Sequence, residues 1–171
     1  MKTQQKEYLF YDSRGAQLKP KRVVEEILQY MAADTNRSYT ITIGSDSEQF
    51  ADKRADFVTA IVIHRVGNGA RYFWRRLVSE RPYHSLRDRM YEEVSLSLEI
   101  AQHFLSVAKA MKLEGFQFEI HIDIGKNGAT KTMIAELTGM IRANNFIWRI
   151  KPESYAASKV ADRHAHAAAS H

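Results

Sequence analysis

The sequence predicts an α/β fold: a five-stranded mixed sheet with helices on both faces and an extra N-terminal helix. Two observations carry this. Strand-like runs at 39–46, 57–66 and 70–78 follow one another closely, which makes an antiparallel meander. After them, strand-like runs at 116–124 and 146–150 alternate with helical stretches, which demands crossover connections. The resulting order is β-β-β-α-β-α-β-α, with one more helix in front.

Each element has a local reason. Residues 1–17 read as an arm or short edge strand around Tyr8-Leu9-Phe10-Tyr11, closed by a turn at Ser13-Arg14-Gly15. Pro20 suits the first turn of a helix, and Val23, Val24, Ile27, Leu28 and Met31 repeat at helical spacing, so 20–33 is an amphipathic helix. Phe57-Val58-Thr59-Ala60-Ile61-Val62-Ile63 is rich in β-formers, and Gly67-Asn68-Gly69 is a strong hairpin turn into the third strand. A long helix runs from about Leu86 to Lys112 and stops near Gly115; a second covers about Ala129 to Ala143. Lys151-Pro152 ends the short fifth strand, and a last helix begins near Ser154, with His164, His166 and an Ala-rich end reading as its fraying turn.

The chain has 171 residues, enough for one domain with a real core: an arm at 1–17, a core at 18–166 and a tail at 167–171. Cys is absent, which excludes disulfides and thiolate metal sites and fits a reducing cytoplasm. No segment approaches the length of a membrane span, and the N-terminus lacks the apolar run of a signal peptide. A net charge of +5 permits a polyanionic partner without proving one. Arg71-Tyr72-Phe73-Trp74-Arg75-Arg76 alternates basic and aromatic residues, as a nucleic-acid track does. On a strand, alternate residues face opposite sides, so an ordinary half-buried edge strand explains it equally simply.

The candidate chemistry lies in acids. Two apolar strands each end in an aspartate: Asp46 in Ile43-Gly44-Ser45-Asp46-Ser47 and Asp123 in His121-Ile122-Asp123-Ile124-Gly125. An acid at a buried strand end is costly unless it is paired or binds a cation, so two on adjacent strands suggest a divalent-metal site. The alternative is that each caps its following turn. On the long helix, Glu93 and Ser97 lie within the apolar stripe of Met90, Val94, Ala101 and Phe104, whereas Glu92 and Glu99 fall on the wetter side. The alternative for Glu93 is a solvated pair with Arg89. Asp162 has Ser158 and His166 one turn away on either side, or is a surface acid beside Lys159 and Arg163. Gly125-Lys126-Asn127-Gly128-Ala129-Thr130-Lys131 opens a helix with glycines but has no P-loop pattern.

These blocks, with Arg89-Met90-Tyr91-Glu92-Glu93-Val94-Ser95-Leu96 and Lys151-Pro152 followed by Tyr155-Ala156-Ala157-Ser158, resemble the YkuK family of ribonuclease H-like proteins over roughly residues 8–166. Where that family commonly has Thr and Gln, this chain has Ser45 and Glu48. The resemblance implies a ribonuclease H-like fold with acids at Asp46, Glu93, Asp123 and Asp162. It further implies a nuclease that hydrolyses phosphodiester bonds with two Mg²⁺ or Mn²⁺ ions held by those four residues. Ser47, Lys126, Lys131 and His166 are the candidate substrate contacts, and the partner is RNA, DNA or a hybrid. A nucleotide-binding phosphotransferase-like protein and a non-catalytic nucleic-acid-binding module on the same fold are the alternatives.

Overall fold

A computed structural model describes residues 8–154, 159–161, 163 and 164. The chain opens with a small hairpin, β1 (Phe10–Tyr11) and β2 (Gln17–Leu18), followed by α1 (Pro20–Ala32). The meander is β3 (Tyr39–Gln49), β4 (Ala55–Arg65) and β5 (Ala70–Val78). Then come α2 (Leu86–Ala110), β6 (Phe116–His121), a 3-10 turn at Lys131–Met133, α3 (Ile134–Ala143) and β7 (Ile147–Arg149). The sheet has the order β2-β1-β5-β4-β3-β6-β7. β3, β4 and β5 pair antiparallel, while β6 and β7 run parallel to β3.

The sheet therefore has seven strands, not the expected five. The two additional ones are the β1–β2 hairpin, whose β1 joins the sheet by pairing Tyr11 with Trp74. Two residues are too few to display an alternating pattern, so nothing in the sequence marks Gln17–Leu18 as a strand. The N-terminal helix is also not an extra laid on the outside. Val23, Val24 and Ile27 of α1 are fully buried in the main core.

Alternation along the strands separates two cores. Ile41, Ile43, Ile61, Ile63, Phe73 and Ile120 point to one face, where α1, α2 and α3 cover them. Val58, Ala60 and Val62 point to the other, where Ala161 and Val160 pack on them. His164 lies on this second face too, its ring stacked 4.2 Å from that of Trp74. Local chemistry supports the borders. Ser85 caps α2 by accepting the Asp88 N–H at 3.0 Å. The β4–β5 turn places Gly67 and Gly69 at φ 79° and 82°, a region that glycine enters without a Cβ penalty.

The basic-aromatic run on β5 is absorbed by the fold. Phe73 enters the main core and Tyr72 and Trp74 the second one. Arg71 contacts Glu26, Arg76 contacts Asp56 and Arg75 lies over the Tyr8 ring. Among the described residues, no helix is long and apolar enough to cross a membrane.

Candidate active site

The site forms where the β3–β6 ladder stops, with β6 ending at His121 while β3 continues to Gln49. β3 pairs with β6 in parallel as far as Gly44 opposite His121, and β6 with β7 as far as His121 opposite Arg149. Two residues further on, Asp46 follows Gly44 along β3 and Asp123 follows His121 just past β6, so alternation keeps the two aspartates on one face of the sheet. Past the end of β7 the register slips: Ile122 N–H donates to Arg149 O at 3.0 Å, but Lys151 N–H donates to Ile124 O at 2.8 Å, which sets Lys151 beside Gly125. Lys151 Nζ then lies 2.8 Å from Asp123 Oδ1.

Glu93 reaches the same strand ends from α2. It is buried with 4% of its surface exposed, among Met90, Val94 and Ser97. Helix position alone does not hold it there. Ser97 Oγ donates to Glu93 O at 2.9 Å and lies 2.8 Å from Ser45 Oγ, which lies 2.8 Å from Thr59 Oγ1. This buried chain of hydroxyls pins α2 to β3 and β4 just below the site. Above it, Ser47 Oγ donates to Glu93 Oε1 at 2.6 Å, and Arg89 donates to both Ser47 O and Ser47 Oγ at 3.1 Å. The alternative of a solvated Arg89–Glu93 pair gives way to a link bridged through Ser47.

The electrostatics follow from this placement. Burial pushes the Glu93 carboxyl up to about 8, the charge of Asp46 adds to the effect, and Asp123 adds a smaller part. The Ser47 hydrogen bond and the Arg89 charge oppose it. Asp46 accepts the Ser47 N–H at 2.9 Å. Each acid thus faces an internal donor, and among the described residues no group of three or more His, Asp or Glu stands ready to hold an ion.

The other expected site residues divide three ways. Ser47 is in the site, bonded to Glu93. Lys126 and Lys131 are exposed on the connection that follows Asp123. Asp162 and His166 lie outside the described residues. Glu92 and Glu99 stand apart from the strand-end acids: Glu92 faces Arg81 at 3.6 Å, and Glu99 accepts the Tyr8 hydroxyl at 2.7 Å.

Two features of the site's surroundings went unread in the sequence. Lys151 is one, because its ion pair with Asp123 depends on how the chain continues past β7. The other is a polar row beneath it, on the same face. His121 Nε2 lies 3.2 Å from Glu119 Oε2, and Arg149 donates to Glu119 Oε1 at 3.1 Å. Burial lowers the His121 pKa, and the hydrogen bond to Glu119 opposes that shift. Burial opposes the Glu119 charge, but Arg149 and then His121 outweigh it and hold the carboxyl below its ordinary range.

Comparison with known proteins fits this geometry. The Ribonuclease H-like family model matches residues 22–166. A protein of Bacillus subtilis (strain 168), described as uncharacterized protein YkuK, is 36% identical over 166 residues, covering 91% of this chain and 96% of that one.

Proposed function

Because the chain belongs to the ribonuclease H-like family, we propose that it is a metal-dependent nuclease that hydrolyses phosphodiester bonds in RNA, DNA or a hybrid. The observation that carries this reading is Glu93. A carboxylic acid is buried within the electrostatic reach of two aspartates, one on β3 and one just past β6, where its own charge is opposed by burial and by theirs. Such an arrangement weakens the metal-free protein at neutral pH and is relieved by a divalent cation.

The donor chemistry fits Mg²⁺ or Mn²⁺: carboxylate oxygens are hard ligands, and there is no Cys to favour a softer metal. Asp46, Glu93 and Asp123 would hold the ions, with Asp162 as the fourth ligand that the resemblance implies. Bound there, two ions supply charge neutralisation at the phosphate and a more acidic water. The residues of the chain do the rest. Ser47, braced by Arg89, orients Glu93 Oε1. Glu93, whose burial favours the protonated form, would have to release that proton to ligate an ion. Lys126 and Lys131 offer cationic contacts to the phosphates beside Asp123, and His166 is a candidate for proton transfer. The net charge of +5 suits a polyanionic substrate, and the absence of Cys suits a cytoplasmic setting.

The test is cleavage of labelled single-stranded RNA, single-stranded DNA, duplexes and hybrids with Mg²⁺ or Mn²⁺, with EDTA as control. Cleavage that needs the metal and disappears in Asp46→Asn supports the reading. Turnover retained by a carefully purified Asp46→Asn protein overturns it.

A further inference from the structure

We propose that Lys151 is the internal counter-ion of Asp123, which a divalent cation must displace in order to bind. The proposal rests on the metal reading above and adds to it a residue and a built-in competition. Lys151 lies just past β7 beside Gly125, and its ammonium contacts Asp123 Oδ1 at 2.8 Å. The backbone fixes the base of the side chain, because Lys151 N–H donates to Ile124 O at 2.8 Å. The stem lies along Gly125: a Cβ built at Gly125 meets Lys151 Cβ at 3.6 Å and Cδ at 3.8 Å.

The head is not locked in place. The Lys151 side chain is 58% exposed and Asp123 29%, so the pair is solvated and weak enough to open. An ammonium at a carboxylate oxygen occupies the position from which that oxygen would ligate a metal, and its charge repels an incoming cation at short range. Displacement therefore frees Asp123 and, in the same step, releases a lysine ammonium at the edge of the site where a phosphate arrives. No other basic side chain among the described residues forms an ion pair with Asp123.

Calorimetric titration with Mn²⁺ alone, at low ionic strength, tests this on the full chain. The wild type is compared with Lys151→Met, Lys151→Arg, Asp123→Asn and Asp46→Asn. Lys151→Met is expected to bind Mn²⁺ roughly two- to five-fold more tightly, the range set by a solvated ion pair. Lys151→Arg, which keeps the charge, stays near the wild type. A second readout is amine acylation by acetic anhydride, read by mass spectrometry: modification of Lys151 rises when Mn²⁺ is added, while that of Lys53 stays constant. If Lys151→Met binds Mn²⁺ no more tightly than the wild type, or acylation of Lys151 does not rise, while Asp123→Asn and Asp46→Asn lose Mn²⁺ binding, the counter-ion role is overturned and the metal site stands. Wild-type protein that binds no Mn²⁺, or binds it equally after Asp46→Asn, overturns the metal reading and this proposal with it.

Discussion

Replacing Glu93 by Gln should make the metal-free protein more stable above neutral pH, and the size of the gain follows from the burial of one carboxyl. In the folded chain Glu93 titrates at about 8, against an ordinary 4.5. Between those values the native state holds a proton that the unfolded chain has released, so stability falls as pH rises. Each pH unit in that window removes about 1.4 kcal/mol, and the loss is complete above the folded value. Gln is a neutral isostere whose carbonyl oxygen can accept the Ser47 hydroxyl, so it keeps the contact without the titration. Allowing for the amide protons that Gln must place, the variant should exceed the wild type by roughly 2–4 kcal/mol at pH 9 and match it or fall below it at pH 5. Urea denaturation in EDTA at one-unit steps from pH 5 to 9 measures this directly. The difference between the two proteins isolates the group, because other carboxyls titrate in both. A difference that stays flat with pH, or a variant less stable than the wild type at pH 9, refutes the reasoning.

Further expectations separate the site from its frame. Adding Mn²⁺ at pH 7 should reverse the Glu93 effect, with Glu93→Gln binding the ion far more weakly in calorimetry than Glu92→Gln or Glu99→Gln; loss confined to Glu92→Gln would mean the helix contributes a different acid. Wild-type Mn²⁺ binding at pH 6–7 should release protons, seen as a dependence of the apparent enthalpy on buffer ionisation heat, and Glu93→Gln should lose that dependence. Arg76→Met should destabilise by about 2–3 kcal/mol in urea denaturation, because it strands Asp56, which is 1% exposed and accepts from Arg76 Nε at 2.8 Å. A change below about 0.5 kcal/mol would show that Asp56 does not depend on Arg76 for its charge.

The meander, the long helix and the crossovers were legible because their signals extend over many residues. Tyr39–Gly44 of β3 alternates, Phe57–Ile63 of β4 is rich in β-formers, and Gly67-Asn68-Gly69 permits few conformations other than a tight turn. β3 outlasts its apolar part: it runs on to Gln49, three residues past Asp46, because Ser47, Glu48 and Gln49 pair with Phe57, Asp56 and Ala55. Polar residues at a strand end carry no period, so ladder pairing extended the strand where the pattern stops. The β1–β2 hairpin was legible only in part: the edge strand at Tyr8-Leu9-Phe10-Tyr11 and its turn could be read, but the pairing with Gln17–Leu18 could not. Its four residues gain their place from Trp74 on a strand some sixty residues away.

The acids show the same division between what local sequence carries and what only packing decides. Asp46 and Asp123 stand out because a carboxylate following a buried run needs a reason, and Glu93 because helical spacing puts it with Met90 and Ser97. Their partners do not stand out. Ser47 beside Asp46 reads as an ordinary turn residue until it donates to Glu93, and Lys151 reads as the end of a strand until β7 lies beside β6. Those partners decide the state of the site. A carboxyl group with a hydroxyl donor or an ammonium on it is stable without metal, at the price of having to give up that donor when an ion arrives. On the metal reading proposed above, the affinity of the site is set as much by Lys151, Ser47 and Arg89 as by the acids themselves. Substitutions at those three positions should therefore shift metal affinity while leaving every ligand in place.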